Sequence, residues 1–430
     1  MKALHCINSF LEGVGKNIID FCLVDFDLTV NDDNIFETMI SEEKTNINFQ
    51  SDIHYNESLN KEQQNAYDII LDCVLNDKNG MFFIDDPGGT GKTYLYKALL
   101  FGVRSRNLIA LSTALSGVAE SLLPAGRTGH SRFKISLEVS CDMRYSVSKQ
   151  SVLGKLLALS RLIIWDEIPM VHKYAFEALD KMLRNVTGCQ LSFGGKVVCG
   201  RDFRQVLPVV QRRTKDIMKA SLVSSHLWPS FTQLALTENM RAKLDPSFCE
   251  YLLKIGNGIE RTHSCQMITF PEDITIHFED EFKSLKELID IVFFNFQTYG
   301  DNLHIIMSRI ILTPKNEYAD LINNMLLKEI PREKNVILAE IGIGEYCGKQ
   351  LFLPRIPFIP LEGDKQSVPF KRTQFLIRLC FAMTINKSQG QTLDFVGLYL
   401  PESVFFHGQF CVVVRYCVVL NTNTIGEVDI

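Results

Sequence analysis

The stretch Phe82–Thr93 reads FFIDDPGGTGKT, in which an apolar strand runs directly into a glycine-rich turn. The turn follows the pattern G-x-x-x-x-G-K-[ST], whose successive backbone N–H groups converge on the phosphates of a nucleotide. Lys92 can then reach the outer phosphates, and the Thr93 hydroxyl can bind Mg2+. The next residues, YLYKALLFG, have helical character, as the motif requires. The stretch therefore predicts a site for a nucleoside triphosphate rather than a chance glycine-rich loop.

One residue departs from the pattern, because Asp86 stands where the first glycine is usual. Aspartate adopts a positive φ more readily than most residues, so the turn is still expected to form. Its carboxylate is expected to repel a triphosphate. Nucleotide binding is therefore predicted to depend on the residues from Gly88 to Thr93.

The composition is that of a folded protein with two or three domains, since 430 residues carry 46% hydrophobic and 10% aromatic side chains. The formal net charge of -5 excludes nucleic-acid binding through bulk basicity, so such binding must use local patches. Twelve cysteines form no C-x-x-C pair, which predicts reduced thiols and no structural zinc. The apolar run Phe410–Leu420 contains Arg415 and is too short to span a membrane. With no signal-peptide pattern, we expect an intracellular protein without a membrane partner.

Strand and helix patterns alternate along most of the chain, which predicts an α/β fold with parallel sheets covered by helices. A second α/β series begins after Leu236. Before the first series, the sequence predicts a helix over Leu4–Leu28 and a polar linker over Asn31–Ser58. The predicted domains are a leader with its linker at residues 1–55, a nucleotide-binding domain at 56–235, and a second α/β domain at 236–430.

An apolar strand ends in two acids in the stretch LIIWDE, residues 162–167. In an open parallel sheet, the carboxyl end of such a strand lies beside the phosphate-binding turn. Asp166 would then hold Mg2+, directly or through water, and Glu167 would orient and deprotonate the attacking water. An isolated Asp-Glu pair is more often a solvated helix cap. The preceding phosphate-binding motif favours the catalytic interpretation.

Two further side chains are candidates for the same crevice. Gln205 follows a strand pattern that begins at Lys196, which presents it where a γ-phosphate would lie. Arg241 stands at the boundary between the two α/β series, from which a guanidinium can bridge to the γ-phosphate. Each residue taken alone is a weak signal, and the prediction depends on their neighbours.

Seven motifs occur in fixed order along the chain and carry a clear resemblance. They are LNKEQ, DPGGTGKT, LSGVAESLLPAGRTGHSRFKI, IIWDEIPMV, DFRQVLPVV, LTENMR and FAMTINKSQGQT. This set resembles the Pif-one (petite integration frequency) family of superfamily 1 DNA helicases, and more narrowly the branch encoded by Helitron-type transposons. The resemblance covers almost the whole chain and implies two tandem RecA-like P-loop NTPase domains.

The resemblance also implies roles at the nucleotide site. Gln63 matches a glutamine that reads adenine, and Gln205 and Arg241 match the γ-phosphate sensors. Lys92 and Glu167 complete the implied catalytic set. The implied ATP contacts are Gln63, Gly88, Gly89, Thr90, Gly91, Lys92, Thr93 and Gln389, and the implied Mg2+ ligands are Thr93 and Asp166.

A separate set of residues is implied to bind single-stranded DNA: Ser116, Gly117, Thr128, His130, Thr384, Asn386 and Lys387. The residues themselves agree with this, because a basic cluster crowds one region of an otherwise acidic chain. Its members are Arg104, Arg106, Arg127, His130, Arg132, Lys134 and Arg144. Phe133, Phe203 and Trp228 are candidates for stacking on bases, although such aromatic residues more often lie in a core.

The implied activity is that of an ATP-dependent DNA helicase, which moves 5′-to-3′ along single-stranded DNA and unwinds forked DNA. Repair, recombination, telomere maintenance and transposon replication are roles of such helicases, and a nuclear location is implied with them. The sequence does not determine the oligomeric state.

Two departures from the family pattern favour an alternative. The chain would then be a degenerate relative that binds ATP and single-stranded DNA but does not unwind duplex DNA. An internal insertion of the second domain is missing between Lys315 and Ile341, and Tyr416 stands in register with the family's arginine, with Arg415 one place early. A slip of one residue points a side chain in another direction. A third interpretation, a small-molecule P-loop kinase, gives no role to the TINKSQGQT motif.

Overall fold

The computed structural model describes the two α/β regions and the helix that precedes them. The described residues are 32–45, 58–85, 89–135, 140, 147–201, 208, 214–238, 240, 254, 275–276, 280–294, 308–329, 337–341, 348–353, 356–358, 372–375, 377, 380–389, 391, 393, 395–402 and 418–422. The helix predicted over Leu4–Leu28 lies outside these ranges.

Six parallel strands form the sheet of the first α/β region, in the order β3-β2-β4-β5-β1-β6. The predicted parallel sheet is therefore confirmed. Since β1 pairs with β5 and β5 with β4, one strand separates the phosphate-binding turn from the Asp-Glu pair. The strands are β1 (Gly80–Asp85), β2 (Ile109–Ala114), β3 (Arg127–Thr128), β4 (Ser160–Trp165), β5 (Val197–Arg201) and β6 (Thr232–Ala235).

Helices cover both faces of this sheet, because its strands are apolar on both sides. Phe83 and Ile163 point into one buried cluster, and Phe82 and Ile164 point into the other. The helices of this region are α1 (Asp32–Thr45), α2 (Lys61–Leu75), α3 (Lys92–Arg104), α4 (Gly117–Ser121), α5 (Gly129–Phe133), α6 (Val152–Leu159), α7 (Lys173–Thr187) and α8 (Thr214–Ala220).

The second α/β region has a parallel sheet of five strands in the order β13-β8-β14-β15-β7. Two antiparallel strand pairs, β9 with β10 and β11 with β12, lie in the sequence between the last helix and β13 of this region. The elements are β7 (Thr275–Ile276), α9 (Glu281–Val292), β8 (Arg309–Thr313), α10 (Asn316–Glu329), β9 (Ile337–Glu340), β10 (Gln350–Leu353), β11 (Ile356–Phe358), β12 (Arg372–Gln374), β13 (Ala382–Thr384), β14 (Phe395–Leu400) and β15 (Val418–Thr422).

One element differs from the sequence prediction. Residues 32–45, predicted to belong to a polar linker, form α1, whose Phe36, Met39 and Ile40 pack against the core of the first region. The predicted lack of an insertion in the second region stays a prediction, as do the boundaries of the three predicted domains.

Among the described residues, no helix combines the length and the apolar character needed to cross a bilayer. The same ranges hold no group of three or more His, Cys, Asp or Glu side chains arranged to bind a metal ion.

Helix α2 begins with a capping box, as the sequence LNKEQ suggests. The Asn60 side chain accepts a hydrogen bond from the Gln63 N–H (2.8 Å), and the Asn60 N–H donates to Gln63 Oε1 (3.0 Å).

We expect Asn60→Ala to lower the free energy of unfolding in urea by about 1 kcal/mol, because one N-terminal N–H loses its acceptor. Asn185→Ala, at an exposed position inside α7, is the matched control and should cause no loss. Equal losses in both variants would contradict the capping role.

Candidate nucleotide and DNA site

The phosphate-binding turn joins β1 to α3. Gly89 and Gly91 both have a φ of 77°, a left-handed conformation that favours glycine. Lys92 is the first residue of α3 and is 5% exposed, while Thr90 is fully buried. The N-terminus of α3 therefore directs its first N–H groups toward the turn, which suits an anion. Asp86 and Gly88 lie outside the described residues.

Gln63 contacts this turn directly. Its Nε2 donates a hydrogen bond to the Thr90 carbonyl (2.7 Å), while its Oε1 accepts from the N–H of Asn60. A Cβ on Gly91 would lie 2.6 Å from Gln63 Nε2, so a larger residue would displace the Gln63 amide in addition to straining the left-handed backbone. Gln63 thus anchors the turn to the start of α2, and its predicted contact with adenine stays a prediction.

The segment after β6 lies against the same turn. The Leu236 N–H donates to the Asp85 carbonyl, and the Met240 N–H donates to the Gly89 carbonyl, each at 2.8 Å. Thr237 is held by Glu62, whose carboxylate accepts hydrogen bonds from its N–H and its hydroxyl, both at 2.6 Å. These bonds lower the pKa of Glu62. Arg241 follows directly in sequence and, like Gln205, lies outside the described residues.

The two predicted acids follow β4 at the edge of the sheet where the turn lies, as predicted. Asp166 is 4% exposed and Glu167 is fully buried. Asp166 is fixed from two sides, because its N–H donates to the Thr113 carbonyl (2.7 Å) and its Oδ1 accepts from the Glu167 N–H (3.0 Å). Asp166 and the Thr93 hydroxyl carry oxygen atoms of the kind that Mg2+ prefers, and their role as metal ligands stays a prediction.

Glu167 has a left-handed backbone, with φ 59° and ψ 26°, before the short 3-10 helix Ile168–Met170. Its Oε2 accepts a hydrogen bond from the Ser116 N–H (2.9 Å). Ser116 is the first of the residues predicted to bind DNA. One hydrogen bond thus joins the predicted water-activating carboxylate to the predicted DNA-binding segment.

The predicted DNA-binding residues of the first region lie next to each other. Ser116 caps α4 and Thr128 caps α5, each through a side-chain oxygen that accepts an N–H three residues on. The strands before these caps are paired, with Ala114 opposite Thr128. Gly117 faces open space, since a Cβ at this position would have no neighbour within 4 Å among the described residues. His130 is half-buried in α5.

The basic cluster does not form one open surface as the sequence suggested. Arg104 and Arg132 are buried, and both contact the Glu43 carboxylate of α1. Arg127 is partly exposed and pairs with Glu42 (3.0 Å), and Lys134 is exposed. Arg144 lies outside the described residues.

Two of the three proposed stacking aromatics lie among the described residues, one inside the core of the first region and one packed against it. Phe133 is fully buried, with its ring centroid 5.3 Å from that of Trp165. The Trp228 ring packs edge-on against Phe83 at 5.0 Å. Phe203 lies outside the described residues. The aromatic stacking hypothesis is therefore wrong for the buried Phe133, and it stays a prediction for Trp228, which is partly exposed.

In the second region, the predicted residues follow β13. Thr384 and Asn386 are partly buried, and Lys387 is exposed and donates from Nζ to Asn316 Oδ1 (3.0 Å). Gln389 is 4% exposed, and neither its Oε1 nor its Nε2 has a hydrogen-bond partner in the described part of the chain. A buried amide of this kind suits a polar ligand.

The two regions touch close to the acid pair. Met170, three residues after Glu167, packs against the buried cluster of the second region that contains Ile310, Leu312 and Ile385. The segment that carries the predicted second-region contacts therefore lies on the same side of the molecule as the end of β4.

Sequence reasoning missed three residues that shape the site. Glu62 and Thr237 connect the start of α2 to the segment after β6. No local sequence pattern predicts a contact between residues that lie so far apart in the chain. Glu43 had a usable signal, because Phe36, Met39, Ile40 and Glu43 share the spacing of one helical face.

Residues 58–265 match the family model of PIF1-like helicases. The chain is similar to "ATP-dependent DNA helicase PIF1" of Danio rerio, at 26% identity over 82% of this chain and 58% of the relative. For the protein of the same name of Homo sapiens, the figures are 26%, 79% and 57%. For Pif1 of Campylobacter jejuni they are 25%, 77% and 85%. The chain thus spans somewhat more than half the length of the two vertebrate relatives.

Solved structures share the fold. The structure of Pif1 helicase from Bacteroides with ADP-AlF3 and single-stranded DNA aligns with a TM-score of 0.61 at 20% identity, over 85% of this chain and 92% of that one. The complex of Bacteroides Pif1 with single-stranded DNA alone gives a TM-score of 0.60. These likenesses establish that the chain has the RecA-like architecture of those proteins.

Proposed function

We propose that the protein is an ATP-dependent DNA helicase of the PIF1-like family, whose model matches residues 58–265. Residues 56–235 and 236–430 would act as two motor domains that close on ATP and open after hydrolysis. Each cycle would advance the protein 5′-to-3′ along single-stranded DNA and unwind a forked duplex. The observation that carries the proposal is the hydrogen bond from the Ser116 N–H to Glu167 Oε2, because it joins the predicted water-activating carboxylate to the predicted DNA-binding segment.

The roles at the nucleotide follow from position and charge. Lys92 and the N–H groups from Gly88 to Thr93 would bind the phosphates. Thr93 and Asp166 would hold Mg2+, which neutralises phosphate charge when bound. Glu167 would accept a proton from the attacking water, at the carboxylate that also contacts Ser116.

The remaining roles concern the two ends of the nucleotide. Gln63 would contact the adenine while its amide holds the turn. Gln205 and Arg241 would contact the γ-phosphate. Gln389 of the second domain would form hydrogen bonds from its buried side-chain amide to the nucleotide. Closure of the two domains would bring these groups together only when ATP is present.

Single-stranded DNA would run over the edge formed by the helix caps at Ser116 and Thr128. Gly117 and His130 would belong to the same edge in the first domain, and Thr384, Asn386 and Lys387 would extend it in the second. Contacts from these residues to the DNA phosphates would not depend on the base sequence. The roles in repair, recombination, telomere maintenance or transposon replication, and the nuclear location, belong to this proposal through the family alone.

Purified protein should hydrolyse ATP faster when oligo(dT) is added, and should separate a duplex with a 5′ single-stranded tail when ATP is present. ATP hydrolysis that does not respond to DNA would refute the helicase proposal. DNA-stimulated hydrolysis without strand separation would instead support the alternative, a relative that binds both ligands and does not unwind. A duplex with a 3′ tail serves as the polarity control.

A further inference from the structure

Helix α1 is docked on the first region by one apolar face and one buried carboxylate. Phe36, Met39 and Ile40 pack on the core, and Glu43, on the same face, is 2% exposed. Glu43 Oε2 accepts a hydrogen bond from the Arg104 guanidinium at 3.2 Å, and its Oε1 accepts one from Arg132. One carboxylate thus serves two buried arginines.

The two arginines in turn hold backbone around the predicted DNA-binding edge. Arg104, the last residue of α3, donates to the carbonyls of Ala110 (2.8 Å) and Pro124 (3.2 Å). Arg132, in α5, donates to the carbonyls of Ser112 (3.2 Å) and Ala125 (2.9 Å). These carbonyls lie on β2, which leads to Ser116, and on the loop that leads to Thr128.

The charges in this cluster depend on Glu43. The pKa of Arg104 is lowered to about 10, mainly by burial and to a smaller extent by the nearby Arg132, while Glu43 opposes both effects. Without the carboxylate, two like charges would face each other away from water, and their guanidinium groups would be driven apart. The backbone carbonyls of β2 and of the following loop would then lose the hydrogen bonds that fix their positions.

We propose that Glu43 is a positioning residue for single-stranded DNA, because it holds the arginine pair that fixes the segments carrying Ser116 and Thr128. Helix α1 is then a working part of the first motor domain, although it precedes the segment matched by the family model. The inference rests on the proposed function, since it concerns the same DNA-binding edge.

The test compares Glu43→Gln with Glu37→Gln, which makes the same change on the exposed face of α1. Binding of fluorescein-labelled oligo(dT) is measured by anisotropy, and the KM for ATP is measured at saturating oligo(dT). Glu43→Gln should raise the Kd for oligo(dT) about tenfold, with the KM for ATP changed less than about twofold. Glu37→Gln should leave both values unchanged.

Glu43→Asp guards against a variant that does not fold, because it keeps the negative charge and shortens the side chain by one methylene. It should fold and raise the Kd for oligo(dT) by a smaller factor. The proposal is overturned if the folded variants bind oligo(dT) like the unmodified protein, if the KM for ATP rises in parallel with the Kd, or if Glu43→Asp also fails to fold. If the unmodified protein itself does not bind oligo(dT), the proposed function fails instead.

Discussion

Lys92→Ala is expected to lower DNA-stimulated ATP turnover about 10^3-fold, the effect of losing a fixed charged donor to the transferred phosphate. Lys92 is 5% exposed at the first position of α3, where its charge adds to the helix N-terminus. The loss should appear in nucleotide affinity as well as in turnover, because in the proposed function Lys92 would contact the phosphates before the reaction. Turnover is measured by phosphate release, and affinity with a fluorescent ATP analogue.

Lys97→Ala is the matched control, since it removes the same charge from the same helix at a half-buried position beyond the turn. It should leave turnover within about twofold of the unmodified protein. Comparable losses in both variants would mean that α3 is unstable without its lysines, and would leave a phosphate contact at Lys92 unsupported.

Glu167→Gln is expected to lower turnover by about 10^2 to 10^4, the range for loss of a general base. Binding of ATP should be retained, because the variant keeps every group of the phosphate-binding turn. The local structure should be preserved in this variant, since the side-chain amide oxygen of the replacement can still accept a hydrogen bond from the Ser116 N–H. Single-turnover hydrolysis and analogue binding, measured side by side, separate the two quantities.

The control for this variant is Glu287→Gln, which removes an exposed carboxylate on α9 of the second region. Turnover equal to that of the unmodified protein is expected there. If Glu167→Gln hydrolysed ATP at the normal rate, another group would have to activate the water, and the assignment drawn from the LIIWDE strand would be wrong.

The sequence was sufficient for the parts of the fold that depend on local patterns. The strand before Gly88, the helix from Lys92 and the strand that ends at Trp165 are all present, because apolar runs and turn chemistry act over a few residues. The rule that parallel strands end at one edge then placed Asp166 and Glu167 beside the turn. Only the register and the order of the strands had to come from the structure.

Contacts between distant residues were beyond the sequence. A count of basic residues cannot separate Arg127, which is partly exposed, from Arg104 and Arg132, which a distant carboxylate holds in the interior. The linker prediction for α1 failed for the same reason, because its polar composition hid a face that is buried only once the first region has folded. Burial is a property of the whole fold, and a local stretch does not carry it.

The left-handed backbone of Glu167 has a consequence for how this chain evolves. A residue other than glycine in this conformation costs on the order of 1 kcal/mol, and burying a carboxylate adds to that cost. Glycine or asparagine would adopt the same φ of 59° more easily. A lineage released from selection for hydrolysis would therefore gain stability by replacing this glutamate early. Under the proposed function, Glu167 marks a position where stability is given up for chemistry, which weighs against the alternative of a degenerate relative.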